Sequence, residues 1–205
     1  GDMSNTTADH AVSMEISAAD GVEVMRGPET LAYGSNTIGG IINIITPFKN
    51  LKKLSSTNYK LLFGHESSNQ SNLIGSDVNI PLNDYQLAMS LNNRSANDQS
   101  SPIGTLENTA LEKNDLTLGL TKFGEKDLIT IELKDFSMDY GIPGSPEGHI
   151  NGVDLALKNQ TQKLKYHSDI DLLSFNIIDL EQGYVRYGHK EFVKGSNYAS
   201  VDLRQ

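Results

Sequence analysis

Histidine and carboxylate side chains are where this sequence could do chemistry. The five histidines, His10, His65, His149, His167 and His189, are scattered. No two have the four-residue spacing that sets two imidazoles on one helical face. The strongest candidate is the loop Tyr140-Gly141-Ile142-Pro143-Gly144-Ser145-Pro146-Glu147-Gly148-His149. There Glu147 and His149 flank one glycine, and neutral imidazole plus carboxylate suits a divalent first-row metal. Ordinary solvated loop side chains are the plainer reading. Cysteine is absent, which removes disulfides and thiolate metal sites. Serine, histidine and aspartate are plentiful, but there is no Gly-x-Ser-x-Gly elbow and no paired acid on a recognisable scaffold. No catalytic set emerges, and an enzyme is not expected. The loop GPETLAYGSN could cradle phosphate through its glycines. However, Ser35 and Asn36 stand where such a loop needs Lys and then Ser or Thr, so nothing would neutralise the terminal phosphates. A net charge of −9 argues against nucleic acid, which calls for a basic face.

The elements that would position such residues are organised around Gly21 to Thr46, GVEVMRGPETLAYGSNTIGGIINIIT. Val22 to Met25 alternates apolar and acidic residues like a half-buried strand. Arg26-Gly27-Pro28 breaks it, because Gly27 reaches backbone angles closed to other residues and Pro28 suits the first position of a helix. Glu29 to Tyr33 is long enough for about one turn, with Glu29 near the positive end of the helix. Gly34 is a left-handed C-cap, Gly39-Gly40 turns the chain again, and Ile41 to Ile45 is a β-branched run that fits a strand.

With those residues in hand, the stretch closely resembles the end of the plug domain of TonB-dependent outer-membrane receptors. The matching features are the Val-Glu-Val strand, the Arg-Gly-Pro turn, Tyr33-Gly34-Ser35, and Gly39-Gly40 before an isoleucine-rich strand. Asp2-Met3-Ser4-Asn5 and Asp9-His10-Ala11-Val12 look like the zinc-uptake branch of that family. The resemblance implies that Glu23 and Arg26 belong to a charged cluster locking plug to barrel wall, where solvated surface charges are the alternative. It implies that His10 faces the same vestibule as Glu147 and His149. It also implies a Zn²⁺ ion or an iron chelate as transported ligand, with no tightly bound cofactor. The partners implied are outer-membrane lipid and an energy-coupling protein that acts through an N-terminal segment not present here. The loop beginning Gly141-Ile142-Pro143-Gly144 resembles the family's histidine-rich outer loop but keeps a single histidine.

After Pro47 the lysines Lys49, Lys52 and Lys53 read as a linker, and from Thr57 the texture changes to repeated strand, turn, strand. Leu116 to Thr121 and Ile129 to Leu133 alternate strictly. At Lys134-Asp135-Phe136 the alternation falters, which suggests a bulge or a strand emerging beyond a membrane. Pro81–Asp84, Gly124–Asp127 and Ser168–Asp171 read as short turns. Ser95–Lys113, Asp139–Asn151 and Lys190–Gly195 read as the intervening loops, and Ser196 to Leu203 starts an eighth strand. Short turns at one end and long loops at the other are the habit of an outer-membrane barrel, although the absence of Trp leaves a thin aromatic girdle. No apolar run is long enough for a transmembrane helix, which leaves barrel strands open.

The expected architecture is therefore all-β: an antiparallel meander of about eight strands over 57–205, a linker over 49–56, and a plug remnant with one short helix over 1–48. Such a chain would be a piece of an outer-membrane receptor. Eight strands taken from a sheet of about twenty-two would expose two unpaired edges and an apolar face that includes Leu116, Leu118, Leu120, Ile129, Ile131 and Leu133. Closure into a small barrel, or self-association through the edges, is expected in preference to an open sheet. Two alternatives stay open: a siderophore- or haem-type receptor of the same family, and a soluble β-rich binding module with a plug-like turn.

Overall fold

The computed structural model describes residues 19, 21–28, 30, 40–45, 52–146, 149–172, 175–196 and 198–204. One compact unit lies within Met14–Lys52, and a second runs from Lys53 onward.

The first unit holds β1 (Gly21–Met25) and β2 (Ile41–Ile45), paired antiparallel from Gly21↔Ile45 to Met25↔Ile41. Glu23 sits opposite Asn43, whose side-chain amide donates to Glu23 Oε2 at 2.9 Å. This explains the polar interruption in an isoleucine run. Gly27 has φ +86°, the angle for which the turn needs glycine. The amide and hydroxyl of Thr30 both donate to Gly27 O, at 3.1 and 2.8 Å. Pro28 thus opens a short helical turn of the 3₁₀ kind. Glu29, Tyr33, Gly34 and Gly39 lie outside the described residues.

The second unit is built on one eight-stranded antiparallel sheet. Its strands are β3 (Asn58–Glu66), β4 (Ser71–Leu82), β5 (Tyr85–Ala96), β8 (Leu111–Phe123), β9 (Asp127–Ile142), β10 (Val153–Leu172), β11 (Phe175–Val193) and β12 (Val201–Arg204). They are neighbours in chain order, interrupted only by the small hairpin β6 (Gln99–Ser101) and β7 (Gly104–Leu106) in the loop after β5. The all-β meander is thus the fold. Asn83-Asp84 joins β4 to β5, and Gly124 to Lys126 joins β8 to β9. At the opposite end, residues 97–110, 143–152 and 194–200 form the longer connections.

Several boundaries differ from expectation. β5 runs to Ala96, β8 starts at Leu111, β9 runs to Ile142 and β11 to Val193. The loops read as Ser95–Lys113 and Asp139–Asn151 are therefore shorter, and the one read as Lys190–Gly195 starts later. Ser168 to Asp171 is strand, since β10 runs to Leu172 with one irregularity between Asp169 and Leu172. The eighth strand is shorter than Ser196–Leu203, starting only at Val201. There is no bulge at Lys134-Asp135-Phe136, where β9 keeps unbroken register with both neighbours.

The sheet is also open. β3 and β12 are its two edges and do not pair with each other, so the expected closure into a small barrel is not met. Two features account for this. β12 offers only four residues for edge pairing. In addition, the long charged side chains of the more buried face bond laterally to adjacent strands, which does nothing to draw the edges together.

Candidate functional site

Alternation along each strand sorts side chains onto two faces, and register fixes which side chains share a face. On β8, Lys113, Asp115, Thr117, Gly119 and Thr121 are buried, while Leu116, Leu118 and Leu120 point the other way and are exposed. β5 repeats the pattern, with Gln86, Ala88, Ser90 and Asn92 buried and Leu87, Met89 and Leu91 exposed. Polarity is thus inverted relative to a water-soluble protein, whose apolar side chains go inward.

The inward face carries a lateral ladder of polar contacts. Ser90 Oγ donates to Asp77 at 2.6 Å, and Lys60 lies 3.9 Å from the same carboxylate. Thr121 and Thr130, both buried, share a hydrogen bond of 2.9 Å. Lys134 pairs with Asp115 at 2.8 Å, Lys165 with Glu132 at 3.0 Å and Lys163 with Glu181 at 3.5 Å. Each bond joins adjacent strands, so the charges are compensated along the wall.

The outward face carries a belt: Tyr59, Leu61 and Phe63 on β3; Ile74 and Leu82 on β4; Leu87, Met89 and Leu91 on β5; Leu116, Leu118 and Leu120 on β8; Ile129, Ile131 and Leu133 on β9; Leu164 on β10; Leu180 and Tyr184 on β11. It crosses the sheet obliquely. On β3 its upper limit is Phe63, level with Ile74, and on β10 it is Leu164, level with Ile131, Leu120, Leu87 and Ile80. Ile74 to Ile80 is about 20 Å along a strand, and five strand spacings are about 24 Å. The belt therefore runs about 40° from the perpendicular to the strands, matching the 35–45° strand tilt of outer-membrane barrels.

Toward the long-loop end the polarity reverts, which is what disturbs the pattern at Lys134-Asp135-Phe136. From Asp135 onward the outward positions of β9 are Asp135, Ser137 and Asp139. Phe136 and Met138 turn inward and pack with Leu157 and Tyr187, flanked by Leu111 and Tyr140. Lys113 and Lys134 each hold a cation over the Phe136 ring. Just beyond, His189 is 2% exposed, with Nε2 2.9 Å from Glu191 Oε1 and Nδ1 3.3 Å from the Tyr187 hydroxyl. A carboxylate only accepts, so Nε2 carries the proton; in the neutral ring Nδ1 then accepts from Tyr187.

The bases of the loops are joined by Asn108. Its amide nitrogen donates to Ile142 O at 2.8 Å and Val153 O at 3.1 Å, and its oxygen accepts from Lys194 Nζ at 2.8 Å. Beside it opens a cavity of about 420 Å³ lined by residues of three loops, including Glu107, Pro143, Asn151 and Lys194. Asp98 Oδ1 accepts the amides of Thr109 and Ala110 at 2.7 and 2.9 Å, and the Thr109 bond chiefly holds its carboxyl below the usual carboxylate range.

Of the sequence-derived candidates, Glu23 is exposed in the middle of β1 and Arg26 is exposed just past its end, and Gly40 has φ +131° with a β-carbon position only 3.0 Å from Met25 O. His149 is exposed in the loop after β9, its carbonyl accepting from Ser145 and Gly152. Two of the three proposed metal ligands, His10 and Glu147, lie outside the described residues. Among the described residues no group of three or more His, Cys, Asp or Glu gathers around a common point, and no helix is long and apolar enough to cross a membrane. The inward ladder and Asn108 were not singled out from sequence. The ladder's signal was there: within Lys113–Thr121 of β8 and Ile129–Lys134 of β9 the charged and hydroxyl residues fall on one parity. No known protein-family model matches the chain.

Proposed function

We propose that this chain forms part of the wall of an outer-membrane β-barrel receptor, preceded by the end of its plug, as the resemblance to TonB-dependent receptors implies. The observation that carries the reading is the inverted polarity: an oblique apolar belt outside and a compensated ionic ladder inside. In water such a sheet leaves the apolar side chains of the belt unburied, each worth about 1.5–3 kcal/mol. In a bilayer the belt meets hydrocarbon, the backbone groups of the inner strands β4, β5, β8, β9 and β10 are paired on both sides within the sheet, and the ladder lines an aqueous lumen. Belt residues at its margins include Tyr59, Tyr85, Phe63 and Tyr184, a sparse form of the aromatic girdle. A soluble module with a plug-like turn would place these leucines inside, so the belt counts against that alternative.

The ligand of this reading is a divalent metal or metal chelate, with zinc ahead of a siderophore or haem complex, and energy supplied by a TonB-type partner. Support for zinc is the family resemblance near His10 together with His149 and Glu147 in the loop after β9. The test is zinc uptake by cells producing the full receptor. A His10/His149 double alanine variant should take up zinc several-fold more slowly than the wild type. Equal uptake by the two rejects the zinc assignment, and uptake of an iron chelate in place of zinc moves the protein to the siderophore or haem type.

A further inference from the structure

At the upper margin of the belt, over β8 to β11, the outward face opens into a groove of about 340 Å³. Its floor is Leu116, Leu118 and Leu133, and Tyr184 forms one side. Asp135, Gln160 and Arg186 also line it, the three of them level with one another. Lys158 is one row higher. Asp135 is shared: Gln160 donates to it at 2.6 Å, while Lys158 approaches only to 3.9 Å. Arg186 has no carboxylate partner among the described residues and is exposed. Two cations and one carboxylate thus crown an apolar slot, and that asymmetry asks for an anion attached to hydrocarbon.

We infer that this groove binds a phosphate-bearing acyl lipid of the surrounding leaflet. One chain lies along Leu116, Leu118 and Leu133 against the Tyr184 ring. The phosphate sits between the Arg186 guanidinium, which can hold two of its oxygens at once, and the Lys158 ammonium. Gln160 donates to the headgroup when it leaves Asp135. The inference rests on the membrane reading, since only in a bilayer does the slot face acyl chains.

The test is native mass spectrometry of the full chain folded in detergent micelles, titrated with dimyristoyl phosphatidic acid, with dimyristoylglycerol (chains without phosphate) and with glycerol 3-phosphate (phosphate without chains). Phosphatidic acid should be retained, and the other two should not. Arg186→Gln and Lys158→Gln should each weaken retention about tenfold, the effect of ~1.4 kcal/mol. Asp135→Asn, which removes the competing carboxylate, should strengthen it, and misfolding could not mimic that gain. Circular dichroism checks that each variant keeps its strands. Unchanged retention in the Arg186→Gln/Lys158→Gln double variant, or equal retention of dimyristoylglycerol, overturns the lipid site. A chain that never enters micelles or floats with vesicles overturns the membrane reading instead.

Discussion

Asn108 is the residue on which the long-loop end depends. Its backbone sits at φ +62°, and its side chain, 6% exposed, satisfies two carbonyls and one ammonium. The surroundings are fitted to it: a β-carbon on Gly141 would lie 2.6 Å from Asn108 O, and Gly152, at φ +88°, comes equally close to its amide nitrogen. Asn108→Ala is expected to cost about 2–3 kcal/mol, because Lys194 and two half-buried carbonyls lose partners. Asn108→Gly should cost about 1 kcal/mol less, since glycine accepts the backbone angle. Guanidinium unfolding followed by circular dichroism measures both, and equal midpoints for wild type and Asn108→Ala would sink the assignment. Asp98 makes a second residue-level prediction. Its folded pKa is lowered, so its contribution is present above the ordinary carboxylate value near 3.9 and is lost as pH falls through the lowered one. Amide exchange at Thr109 and Ala110 should therefore accelerate in acid, selectively over amides of β8. Uniform acceleration would show that Asp98 does not hold this loop.

Within single strands, the outward and inward halves obey different rules above and below Asp135. Phe136→Ala removes the centre of the inward cluster and should cost about 3–5 kcal/mol. Leu118→Lys places a charge in the middle of the belt and should cost about 2–4 kcal/mol in phosphatidylcholine vesicles, whereas Asn114→Lys, two rows higher on the same strand, should cost about 0–1 kcal/mol. Equal effects at 114 and 118 would remove the boundary between the halves. Much of this element structure was legible: LTLGLT and ITIEL announce strands, and their leucines and isoleucines were recognisable as one face. The change at Lys134-Asp135-Phe136 was visible too, but it reads locally as a defect in the strand. A single segment does not reveal that its polarity reverses while its geometry continues. The Asn108 clamp was illegible for another reason, since its partners lie 34, 45 and 86 residues away. Nor does local sequence fix how far β10 runs before turning, because that length is set by pairing with β11. The proposed metal site stays a matter of sequence, as two of its three members fall outside the described residues.

For the whole molecule, the belt and the two sheet edges govern behaviour in solution. The chain should scatter light as large particles in plain buffer and become small and uniform once detergent covers the belt. A small, uniform species without detergent would contradict the membrane reading. On that reading, the reversal at Asp135 has one more consequence. Raising the barrel by two residues along β8 and β9, about 7 Å along the strand, lifts Leu116 out of hydrocarbon. Lowering it by the same distance drowns Asp135 and Asn114. Cost rises in both directions, so the protein has a fixed draught, like a hull whose paint changes at the waterline. The loops tied by Asn108 are thereby held at a constant height above the lipid, whatever the thickness of the leaflet beneath them.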